Sequence, residues 1–147
     1  MADNPYPLPA FHFRVSWGDS NNTVNFSEVS GLTAESEAIE YRGGADVNLT
    51  VQKIPGLRKY GNVTMKRGIV PKENGFWEWW KTVQTDEFKR RTVTVSLLNE
   101  KHDPVMTWEI RDACPVKVEG PALNAKGAEI AVETLEFAHE GLKITAP

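Results

Sequence analysis

Residues 54–85 read IPGLRKYGNVTMKRGIVPKENGFWEWWKTVQT and carry four aromatic side chains in close succession: Phe76, Trp77, Trp79 and Trp80. At about 100° per residue, Phe76, Trp79, Trp80 and Val83 gather on one face of a helix, with Trp77 at its margin. Each buried aromatic withdraws roughly 150–250 Å² from water. A short helix so loaded has to be covered by the rest of the chain, which predicts a core anchor plugging an open β-structure. Asn74 is the expected N-cap. The polar face sets Glu78 against Lys81 and has no cationic stripe, which argues against a membrane-surface helix. The aromatics also lack the surrounding basic residues of a base-stacking platform.

Ahead of the helix, Pro55-Gly56 signals a turn. Tyr60 to Ile69 then alternates. Val63, Met65 and Arg67 fall on one face and Asn62, Thr64 and Lys66 on the other, as in a half-buried strand. Gly68 and Pro71 end it.

The same period recurs along the chain. Phe11, Phe13, Val15 and Trp17 alternate with His12, Arg14 and Ser16. After the turn cluster Gly18 to Asn22, residues 23–32 are expected to return as the second strand of a hairpin. Val24 and Phe26 share a face that Val29 does not, which predicts a bulge. Thr92, Thr94 and Ser96 alternate with Val93, Val95 and Leu97. Residues 99–104 form a hairpin loop, and the chain returns with Met106, Trp108 and Ile110 on one face. Pro115 bends this strand, Val116 and Val118 resume the alternation, and Gly120-Pro121 stops it. Residues 129–137 form the last strand, with a second bulge where the phase changes after Thr134. About seven strands at hairpin spacing and one short helix predict a mainly β fold. It is a small antiparallel β-barrel or sandwich with the helix packed against it, a single domain over residues 1–147.

Two segments stand apart. Residues 1–10 carry Pro5, Pro7 and Pro9 and predict an extended arm. Residues 33–53 read as a long, irregular loop, acidic at Glu35, Glu37 and Glu40. It has Gly43-Gly44 at its centre and Val47, Leu49 and Val51 alternating at its far side.

Site chemistry is sparse. His12, His102 and His139 are isolated in sequence and lack metal-ligand spacing. No GxSxG, Walker or HExxH pattern occurs. No catalytic, cofactor or metal site is therefore predicted. Cys114 is the only cysteine, so no internal disulfide framework exists, and a buried inert thiol is expected. At 147 residues the chain can bury about two-thirds of its unfolded surface without a metal or disulfide. A net charge of −3 argues against a nucleic-acid binder that relies on overall charge. Lys89-Arg90-Arg91 reads as a solvated face, a partner contact being the alternative. No apolar run is long enough to span a membrane. The opening MADNPYPLPAF lacks the regions of a signal peptide, so synthesis in the cytoplasm is expected.

Several stretches together resemble the tail tube protein family of contractile phage tails and related injection systems. They are NPYPLPAFHFRVSW, FSEVSGL with a following IEYRGG, IPGLRKYGNVTMKRGI with its FWEWW helix, ACPVKVEGP, and the closing EIAVETLEFAHEG. They cover most of the chain in order, and the joint pattern carries the resemblance, since no single motif is specific. The chain is most similar to the tubes of extracellular contractile injection systems, and is similar to the tube protein of type VI secretion.

This resemblance implies a structural protein and not an enzyme. Six subunits close into a ring around a lumen, and rings stack into an inner tube. A contractile sheath, a baseplate, tube-capping proteins and lumen cargo are the implied partners. A phage tail or phage-tail-like particle, cytoplasmic or released, is the implied location. Under this reading residues 33–53 reach the neighbouring ring through Glu35, Glu37, Ile39, Glu40, Tyr41, Val47 and Leu49. Lys53, Arg58 and Lys59 supply the opposite charge on the partner surface. The polar faces Asn62, Thr64, Lys66 and Thr92, Thr94, Ser96 line the lumen, an outward solvent face being the alternative. The competing reading is a monomeric ligand-binding or enzymatic β-barrel.

Overall fold

The computed structural model describes residues 6–18, 26–45, 47, 49–71, 74–85 and 88–147. Their elements run β1 (Phe13–Ser16), β2 (Phe26–Ser30), β3 (Ala34–Tyr41), β4 (Gln52–Tyr60), β5 (Val63–Gly68), α1 (Gly75–Thr82), β6 (Arg91–Leu98), β7 (Pro104–Glu119), β8 (Val132–Ala138) and β9 (Gly141–Thr145). One antiparallel sheet has the order β1-β6-β7-β8-β5-β2, with β9 added on β7, and β3-β4 form a separate two-stranded ribbon. Residues 6–10 belong to no strand or helix, and the rest of the expected arm lies outside the described residues.

The long strand β7 joins two half-sheets. Its first half lies between β6 and β9, with Ile110 opposite both Val93 and Leu142; its second half pairs with β8, with Val118 opposite Leu135. The change of partner is made where Asp112 takes a φ of 56°, a value that Asp tolerates better than most residues. The register then shifts between Pro115 and Lys117. Pro115 therefore bends the strand without ending it, because a bulge is where a missing N–H is tolerated.

Alternation decides what fills the centre. Val93, Val95 and Ile110 from one half-sheet meet Val63, Met65, Leu135 and Phe137 from the other, and Trp17, Phe76 and Trp79 complete the cluster. The Trp17 ring lies 5.4 Å from Phe76 and 6.1 Å from Trp79, centroid to centroid. Arg67 continues the inner face of Val63 and Met65 and is fully buried with them.

Several expectations are corrected here. The helix has eight residues, about two turns, so only Phe76 and Trp79, three positions apart, reach the core. Trp80 is half-buried, and Val83 is the half-buried C-cap. Asn74 is the N-cap residue, but its side chain donates to Glu78 Oε1 at 3.2 Å instead of accepting from a helix N–H. β1 and β2 do not form a hairpin. β1 pairs with β6 (Val15 opposite Val95) and β2 with β5 (Val29 opposite Met65), so each covers the core from a different half-sheet. Val24 and residues 19–22 lie outside the described residues.

The β2 bulge falls between Phe26 and Glu28. β8 has none against β5, since its register runs unbroken from Val132 to Phe137; Ile130 lies ahead of the strand. The run 60–69 is two strands parted by Gly61-Asn62, and Pro55-Gly56 is strand, not turn. Pro55 sits opposite Ala38 beside a register shift, on a strand paired on one side only. β9 was not expected from the sequence; Leu142 and Ile144 are its only apolar alternation.

Candidate assembly interface

Residues 33–53 are a loop only in part, because strands take up both ends of the segment. Residues 34–41 are β3 and residues 52–53 begin β4, in a ribbon registered from Ala34 opposite Tyr60 to Tyr41 opposite Gln52. β4 spans nine residues, so at about 3.3 Å per residue the ribbon is about 30 Å long. Every residue of β3 is exposed, and along most of their length β3 and β4 pack only on each other.

The ribbon continues the β2–β5 pair through a tight hinge. Gly31 has a φ of 89°, and a Cβ there would stand 2.1 Å from the Asn62 carbonyl oxygen. Across the hinge the Gly61 N–H donates to Thr33 Oγ1 at 3.2 Å. The Tyr60 ring stands 5.3 Å from His139, so the base of the ribbon rests on the turn between β8 and β9.

Ile39, Tyr41, Val47, Leu49, Ile54 and Leu57 are exposed on the ribbon, Val47 at 97% and Leu49 at 88%. An isolated two-stranded ribbon is marginal in water, and large apolar side chains left this exposed on it favour an interaction site. Part of its charge is matched internally. Lys59 pairs with Glu37, Lys53 stands opposite Glu40, and Arg58 stands opposite Ser36. Lys53, Arg58 and Lys59 all lie on β4, within the same ribbon as Glu35, Glu37 and Glu40. On that second strand, cross-strand attraction engages Lys59 and is open to Lys53, whereas Arg58 faces an uncharged serine.

The two polar faces are likewise separated. Thr64 and Lys66 stand opposite Glu136 and Thr134 on β8. Lys66 pairs with Glu28 at 3.2 Å, and Asn62 donates to Glu136 at 3.2 Å. Thr92, Thr94 and Ser96 lie on the other half-sheet, where Thr94 stands between Ser16 and Glu109. The inner faces of the halves share one core, so these outer faces point to opposite sides of it. Ser96 is itself buried, its hydroxyl 3.4 Å from that of Thr107. Sequence periodicity assigned each residue to an outer face but carried no signal for which half-sheet it joins.

His12 and His102, far apart in sequence, meet with ring centroids 5.2 Å apart. Among the described residues no group of three or more His, Cys, Asp or Glu could hold a metal ion, and no helix is long and apolar enough to cross a membrane.

Residues 9–143 match the family described as T4-like virus tail tube protein gp19. Among solved structures, a chain of the extracellular contractile injection system PVC sheath-tube complex in extended state superposes with a TM-score of 0.86 at 28% identity, covering 97% of this chain and 94% of that one. A chain of the PVC sheath/tube terminator superposes at 0.85 with 30% identity, covering 96% and 98%. Hcp1 from Flavobacterium johnsoniae shares the fold alone, at a TM-score of 0.57 and 10% identity over 92% of this chain and 95% of that one. No curated protein matches the sequence.

Proposed function

The chain belongs to the T4-like virus tail tube protein gp19 family, and we propose from that premise how its surfaces are used. It is a tube subunit of a contractile injection system, a structural component of a phage-tail-like particle. In our reading six subunits close into a ring, and rings stack into an inner tube bounded by a baseplate and a terminating cap. A contractile sheath surrounds it, and its lumen carries cargo. The subunit performs no catalysis.

The observation that carries this reading is the ribbon β3–β4. It projects from a glycine hinge, exposes six large apolar side chains, and is covered along most of its length by nothing in its own chain. Covering it with a neighbouring ring removes that surface from water. Ring closure deals with the remaining edges: β1, β2 and β9 each end a pairing path. A free edge invites uncontrolled pairing, and a closed ring leaves none. Only one outer face can look inward. We assign the lumen to Asn62, Thr64 and Lys66 with Thr134 and Glu136, a face on which Lys66 pairs with Glu28 and Glu136 accepts a hydrogen bond from Asn62. The alternative of a ligand-binding barrel has little to favour it, because Trp17, Phe76, Trp79 and Phe137 fill the interior.

The test replaces residues 38–55 with a short Gly-Ser turn. Folded subunits that form rings but no tubes under negative-stain microscopy support the reading. Normal tubes from the shortened chain would overturn it.

A further inference from the structure

We infer that the end of the barrel opposite the ribbon, built from Ile69, Val70, Leu123 and Ile130, is the surface that receives the ribbon of a second copy of this chain, and that the contact is apolar. The inference rests on the reading that the ribbon leaves its own ring, and adds where it lands. Strand register fixes the two ends. β5 starts with Val63 opposite Phe137, next to the hinge, and finishes with Gly68 opposite Val132 at the far end. Past that far end the Ile69 N–H donates to the Ala131 carbonyl at 3.0 Å, and the Ile130 side chain stands beside Gly68. β7 also finishes there, since Glu119 is opposite Thr134, and Leu123 follows four residues on.

The patch is bare in the single chain. Leu123 is 87% exposed and Ile130 82%, while Ile69 and Val70 are exposed to a lesser degree. The ribbon of the same molecule emerges at the other end of β5, so it cannot cover the patch from there. A second copy, translated along the strand direction, presents its ribbon to it. Two unlike surfaces at opposite ends of one subunit form a heterologous contact, which repeats as an open stack. The chemistry matches as well. The ribbon sets Lys59 on Glu37 and Lys53 opposite Glu40, and its exposed Val47, Leu49 and Leu57 offer aliphatic side chains to an aliphatic surface. Stacking should then be insensitive to salt, because screening acts on charges and leaves apolar burial in place.

The test uses tubes assembled from isotope-labelled and unlabelled subunits carrying Cys114→Ser and Leu49→Cys, with a benzophenone on the new thiol. After irradiation, mixed-isotope adducts are mapped by mass spectrometry. Adducts on peptides holding Ile69-Val70, Leu123 or Ile130 are expected. Inter-subunit adducts confined to other peptides overturn this inference and leave the ribbon's role standing. Tubes that form with no inter-subunit adduct overturn both. In parallel, Ile130→Asp, at an exposed position outside the core, should leave ring formation intact and reduce tube length several-fold. Unchanged tube length would overturn the proposal.

Discussion

Arg67 Nε donates to Glu133 Oε1 at 2.6 Å from a fully buried side chain, with Glu133 itself largely buried. The guanidinium carbon stands 4.0 Å from the Phe76 ring centroid, so one cation ties β5 and β8 to the helix. A paired buried charge can be close to neutral for stability, but removing one partner leaves the other uncompensated. Glu133→Ala should therefore destabilise the subunit by about 3–5 kcal/mol. Arg67→Met together with Glu133→Leu should recover much of that loss. Urea unfolding of disassembled subunits measures both. A single variant as stable as the parent would show that the pair is not what holds β5, β8 and the helix together.

The helix makes a second pair of outcomes. Trp79 is in the core and Trp80 is only half-buried. Trp79→Ala should cost about 3–5 kcal/mol, the range for a buried large aromatic, and Trp80→Ala clearly less. Midpoints of thermal unfolding rank the two, and equal losses would contradict the assignment of Trp79 as the inner residue.

Local alternation made β1, β5 and β6 legible, because each has one wet and one dry face and the period of two survives along it. Pairing was not legible. Phe13 and Val15 fit any apolar neighbour, and nothing in FHFRVSW distinguishes β6 from β2. The ribbon is hard to see in the sequence for a related reason. With both faces exposed, β3 has no burial to impose a period, and Ser36, Glu37 and Ala38 interrupt what alternation exists with a register shift. Lys59 could be recognised as a partner for Glu37 only once the strands were aligned. Helix length was the remaining difficulty. Amphipathicity placed Phe76, Trp79, Trp80 and Val83 on one face, yet eight residues present only the first two of them to the core.

Two glycines separate hinge from tip. Gly31→Ala forces an L side chain into a φ of 89° with its Cβ 2.1 Å from a backbone oxygen, whereas a Cβ on Gly44 meets nothing within 4 Å. Gly31→Ala should destabilise the subunit by at least about 1–3 kcal/mol, the range for strained backbone, and shift the ribbon enough to impair stacking. Gly44→Ala should be nearly silent in both respects. Calorimetry and tube counts by microscopy measure the pair; a harmless Gly31→Ala would mean that the hinge adapts.

The outer faces of the two half-sheets lead to the last prediction. Thr64 and Thr94 are both half-buried hydroxyls on outward-facing strand positions. They lie on opposite sides of the shared core, so a ring axis that passes one is remote from the other. Thr64→Cys and Thr94→Cys, each with Cys114→Ser, place one thiol on each face without disturbing the core. A thiol reagent too bulky to enter the tube should label both variants when subunits are disassembled. On intact tubes Thr64→Cys should be protected at least tenfold relative to Thr94→Cys in a tube lacking its sheath. The reverse order would move the lumen to the Thr94 side, and equal labelling of the two on intact tubes would mean that neither face lines a closed channel.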